Sequence, residues 1–129
     1  MDLFWSWLVG IVTWFLVAFI GLGVVIFNGD PAAMDTVGGE IMWTGPVQFA
    51  VGLFVALAAG LVHRRPERTR AGRHALAVFA IPLLAIVIEL VALATPIGGN
   101  PPVVIVNGLL AAVGAIAGWL LGPVFRNRR

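Results

Sequence analysis

The segment IMWTGPVQFAVGLFVALAAGLV (residues 41–62), followed at once by HRRPERTRAGR (63–73), decides the fold. The first part carries no charged side chain and has about 20 residues, the length of helix that crosses a hydrocarbon layer of roughly 30 Å. The second part holds five arginines. An uncharged run ending on a basic cluster is the pattern of a membrane helix followed by an arginine-rich loop. Lipid offers no partner to backbone N–H and C=O groups, so such a run satisfies them internally as an α-helix. The absence of apolar/polar alternation excludes a barrel strand.

Working outward, three further apolar runs of similar length occupy residues 3–27, 75–95 and 102–125. Hydrophobic residues make up 60% of the 129-residue chain and charged residues 11%, against about 25% charged in soluble domains. Mean hydropathy is +1.03. Too little polar surface remains to face water, so the expected fold is an all-α four-helix transmembrane bundle forming one domain over residues 1–129. The connections are residues 28–40, which hold Asp30, Asp35 and Glu40 among helix-breaking glycines and Pro31, the basic loop 63–73, and the uncharged turn PIGGNP at 96–101. Every basic residue is arginine, a bias that points to a GC-rich, bacterial genome. The absence of cysteine excludes disulfides, thiolate metal sites and cysteine nucleophiles.

All eight arginines fall in the basic loop or the C-terminal RNRR end. The positive-inside rule then puts that loop and both termini in the cytoplasm, in a multi-pass protein of the cell membrane. Trp5, Trp7 and Trp119 fall near the inner interface and Trp43 near the outer one, whereas Trp14 lies mid-span. The first run exceeds the 7–15 residues of a signal-peptide core and no basic residue precedes it, so it reads as a retained span.

Packing is written in small residues. Gly52, Ala56 and Gly60 recur every four residues in the second run. Gly114, Gly118 and Gly122 do so in the fourth, with Ala111 extending the stripe, and the first run has Ser6, Gly10, Ala18 and Gly21. Such stripes let helix backbones approach closely, within a bundle or between copies. Pro82 in the third run frees the carbonyl of Val78, and Gly45-Pro46 interrupts the second.

Glu89 is the one charged side chain well inside a predicted span. Placing an acid in hydrocarbon costs about 2.5–3.5 kcal/mol on insertion scales, so it should face protein or water rather than lipid. It lies roughly 9 Å below the outer end of its run, with Gln48 at roughly 10 Å and Asn107 at roughly 8 Å, counting 1.5 Å per residue. Gln48 and Asn107 each head a small-residue stripe. A polar cluster of Glu89, Gln48 and Asn107, with Thr44 above it, is therefore expected on the inner faces. One reading makes it a structural hydrogen-bonded set; the other makes it a binding site for a cation, a proton or a small polar ligand. His63 and His74, flanking the basic loop, read as interfacial polar side chains rather than metal ligands, and the acids of residues 28–40 as a solvated loop.

No nucleophile elbow, phosphate-binding loop, dinucleotide fingerprint or metalloprotease helix is present, so no catalytic residue, cofactor or metal is expected. A pI near 11.2 rests on a net charge of only +2, which gives no case for nucleic acid. Small multidrug transporters have this size and four spans, but the acid of that family lies in its first helix, and the first run here has none. The expected function is a non-enzymatic accessory or assembly subunit, packing against itself or a larger membrane complex. A small proton- or cation-coupled transporter or channel built on Glu89, Gln48, Asn107 and Thr44 is the alternative, and a hole-forming protein ranks third.

Overall fold

The computed structural model describes residues 2–63 and 71–126, all of which lie in helices, turns or short connections. The elements in order are α1 (Asp2–Asn28), α2 (Pro31–Met34), α3 (Val37–Val62), α4 (Ala71–Ala92) and α5 (Pro101–Arg126). All but α2 are long and apolar enough to cross a membrane.

The helices outrun the apolar stretches at several ends. Residues 28–40 are not free of helix as the glycines suggest. The Asp30 side chain accepts from the Ala32 N–H at 3.0 Å, and Pro31 at the first position has no N–H to lose, so a single turn forms as α2. Thr36 then caps α3 by accepting from Gly39 N–H at 3.1 Å, and α3 begins at Val37 rather than at residue 41. Gly39 is required there, because a Cβ would run into the Ala33 carbonyl. The third predicted run shifts the other way. α4 starts at Ala71 and takes in Gly72, Arg73 and His74, then ends at Ala92 rather than 95. Thr95 turns back with its N–H and Oγ on the Ala92 carbonyl, at 2.9 and 2.7 Å, before Pro96, which disfavours helix in the residue preceding it.

Contacts define the arrangement. Ser6 meets Ala59, and Gly10 lies against Val55, so α1 and α3 run antiparallel. Gln48 meets Glu89 while Gly60 faces Val78, so α3 and α4 are antiparallel too. Asn107 reaches Thr44 and Gly118 reaches Leu53, which makes α3 and α5 parallel. The chain thus alternates direction at each span. The first residues of α1, the last of α5 and the junctions flanking the basic loop share one end of the bundle.

α3 is the hub. It packs most extensively on α5, next on α1, and also touches α4; α1 and α5 lie on opposite sides and make no contact among the described residues. The α3–α5 seam is backbone on backbone. A Cβ on Gly52 would strike the Ala111 carbonyl, one on Gly114 the Phe49 carbonyl, and one on Gly118 the Leu53 carbonyl. The hydrogen standing where that Cβ would be instead points at a carbonyl oxygen, the weak Cα–H···O contact of close helix crossings. Ala56 packs with Val78 and Ala115 in the buried core where α3, α4 and α5 meet. Two stripe positions lie outside this seam. Gly60 faces Val78 of α4 at 3.5 Å rather than α5, and nothing lies within 4 Å of a Cβ on Gly122. Among the described residues the backbone-on-backbone seam therefore runs no further than Gly118.

α1 is held differently. Of its described residues only Ser6 and Gly10 are buried. Its anchors are the buried Ser6, whose Oγ donates to the Ala59 carbonyl at 2.9 Å, Gly10 against Ile81, Gly21 against Val47, and Trp7 Nε1 donating to the Leu76 carbonyl at 3.3 Å.

Candidate functional site

Four polar side chains project from α3, α4 and α5 toward one another. Thr44 and Gln48 are one turn apart on α3, so they share a face. Gln48 Nε2 donates to Glu89 Oε1 across the α3–α4 contact at 3.2 Å. Asn107 Nδ2 donates to Thr44 Oγ1 across the α3–α5 contact at 2.8 Å. The Thr44 hydroxyl in turn donates to the Glu40 carbonyl at 2.8 Å within α3, which orients its lone pairs toward Asn107.

The expected cluster is thus resolved into two pairs. Glu89 bonds Gln48, while Asn107 bonds Thr44. The reason is on α5: close approach through Gly114 and Gly118 fixes its rotation and lays Asn107 beside Thr44 and Gly45, with Asn107 Oδ1 at 3.7 Å from a Cβ built on Gly45. Asn107 is 7% exposed, and its Oδ1 is buried with no hydrogen-bond partner. The pairs tie α4 and α5 to the same face of α3.

Glu89 has two kinds of surroundings. On one side is a small space of about 10 Å³, bounded by Trp14, Gln48, Gly52, Pro82, Ala85 and Ala111. That is the lower limit for a single water. On the other side is a groove of about 370 Å³ between α1 and α4, lined by Ile11, Trp14, Phe15, Ile81, Leu84 and Ile88 besides the carboxyl. Trp14, the tryptophan that fits neither interface, borders both spaces. A mid-span indole beside an intramembrane acid is the signal in the sequence for this arrangement.

At the other end of the bundle the structure departs from the interfacial reading of the histidines. His63, at the C-cap of α3, is 1% exposed. Its backbone N–H bonds the Ala59 carbonyl at 3.1 Å, the same oxygen that Ser6 Oγ reaches. Its ring lies 5.5 Å from that of His74 in α4. This end carries a second polar set that hydropathy does not reveal, because a histidine at a span boundary reads the same whether it points out or in.

No known protein family, curated protein or solved structure is detectably similar to the chain. The reading of function therefore rests on its own geometry.

Proposed function

We propose that this chain is a small non-enzymatic subunit of the cell membrane, with both termini in the cytoplasm, that assembles with itself or with a larger membrane complex. The observation that supports it is the state of the polar cluster. Gln48 is bonded to Glu89 and Asn107 to Thr44 across the helix contacts, and the space on the Gln48 side of Glu89 admits a single water at most. A side-chain set of this kind holds helices in register. The test is purification of the full chain in mild detergent. Stoichiometric co-purification of a larger membrane protein, or a stable homo-oligomer without transport in liposomes, is the expected result.

A second reading is favoured by one observation, that Glu89 also lines the groove between α1 and α4. In this reading the carboxyl serves a proton- or cation-coupled transporter, with Gln48, Asn107 and Thr44 as ligand contacts. Glu89→Gln separates the two. An accessory role survives the change, because glutamine still accepts from Gln48, whereas proton-coupled uptake into liposomes is lost.

Orientation has its own test. The arginine partition predicts that cysteines at Asp35 and Asn100 react with an impermeant thiol reagent applied to intact cells, and that one at Arg70, outside the described residues, does not. Labelling at position 70 would invert the topology.

A further inference from the structure

His63 and His74 stand apart from everything the polar cluster does. The His63 side chain is 1% exposed, among the largest fully buried side chains of the bundle, and neither of its ring nitrogens has a hydrogen-bond partner among the described residues. An imidazole always carries at least one donor or acceptor on each nitrogen. Buried groups left unmatched in this way call for an unseen water or ion. The second imidazole is positioned by a different helix. His74 lies in α4 (Ala71–Ala92), facing the C-cap of α3 with the ring centroids 5.5 Å apart and the planes tilted by 38°.

We propose that His63 and His74 form a binding site for a divalent first-row transition-metal ion that clamps α3 to α4 at the arginine-rich end of the bundle. Separation is the first argument. With metal–nitrogen bonds of about 2.0–2.1 Å, each ring centroid lies roughly 3.2 Å from the ion, and two imidazoles on a tetrahedral centre have centroids about 5.2 Å apart. The observed 5.5 Å meets that spacing with little movement. Ligand chemistry is the second. Two imidazoles and no thiolate suit Zn²⁺, Ni²⁺ or Cu²⁺ and not the hard cations Mg²⁺ or Ca²⁺, which take oxygen ligands. Among the described residues no third His, Asp or Glu joins the pair. Water or chloride therefore fills the remaining positions. Such a site bridges two spans on either side of the basic loop, so metal occupancy bears on the rigidity of that end.

The experiment uses the full chain, purified in detergent on a histidine-free tag and stripped with chelator, titrated with ZnCl₂ by calorimetry and followed by thermal unfolding. One Zn²⁺ per chain and a rise in Tm reversed by chelator are expected. His74→Asn, at a half-buried position, should weaken Zn²⁺ binding beyond the roughly 10–100-fold that changes outside the ligand shell cause. His63→Phe, which keeps a ring in the buried space, should do the same, while Leu120→Ala, at a 61% exposed position of α5, leaves the Zn²⁺ affinity unaltered. Should His63→Phe not fold, His74→Asn decides alone. No saturable binding, or binding that His74→Asn leaves intact, overturns the site and marks any retained Zn²⁺ as an adventitious ion only. A Tm that responds to mild acid and not to Zn²⁺ overturns it equally, in favour of a shared proton.

Discussion

Gly118→Leu is expected to abolish the monodisperse bundle on size exclusion, whereas Leu120→Ala, two residues away, leaves it intact. A Cβ at 118 already meets the Leu53 carbonyl, with the Leu57 N–H 3.1 Å away on the next turn. Backbone cannot rotate aside as a side chain can, so α3 and α5 must separate along the whole seam that also joins Gly52 to Ala111 and Gly114 to Phe49. Overpacking against movable side chains costs about 1–3 kcal/mol; against backbone, with a full leucine to place, the loss should exceed that range. Leu120 is 61% exposed and faces lipid, which is as apolar as its own side chain, so trimming it removes little. Two further variants map the seam. Gly52→Ala should fail as Gly118→Leu does, on the opposite helix. Gly122→Ala should be silent, since nothing lies within 4 Å of its Cβ. A destabilisation at Gly122 equal to that at Gly118, measured by unfolding in mixed micelles, would mean that the stripe packs against a second copy instead.

The contrast between Gly118 and Gly122 shows where sequence reading works here. Span number is legible because lipid imposes length and apolarity on every crossing, and nothing in the chain competes with that demand. Helix ends are less so. Hydropathy measures how far the chain is apolar, while the ends of α3 and α4 are set by the Thr36 cap and by Pro96. Close helix contacts can be read from the small-residue spacing, but spacing alone does not say that α3 and α5 share a seam or that Gly60 turns to α4. The depth of Glu89, Gln48 and Asn107 follows from counting residues. Their pairing does not, because it depends on helix rotation, which the glycine contacts fix and the sequence leaves open. The histidines are the hardest case: the Ala59 carbonyl that His63 N–H bonds is also reached by Ser6 of α1, a contact between residues 53 positions apart.

Glu89 carries the second large effect, and its two replacements should behave oppositely. Glu89→Leu removes the acceptor of Gln48 Nε2, which sits at 3.2 Å in a part-buried contact. The amide then faces Ala111, Pro82 and a space large enough for one water at most. A buried donor left without a partner costs about 1–3 kcal/mol, and that loss should appear in full when the variant is unfolded in mixed micelles. Glu89→Gln keeps an acceptor oxygen at the same distance and removes the expense of holding an ionisable group beside lipid, so its stability should equal or exceed that of the parent. A double-mutant cycle with Gln48→Ala isolates the pair. Interhelical hydrogen bonds in membranes average about 0.6 kcal/mol and reach about 1.7 kcal/mol, and the coupling between Gln48 and Glu89 should fall in that interval. Asn107→Ala supplies the control: its partner is Thr44, so its cycle with Glu89 should couple near zero. Coupling of Asn107 to Glu89 as large as that of Gln48 would show that the two pairs act as one network, and that α5 as well as α3 holds the carboxyl in place.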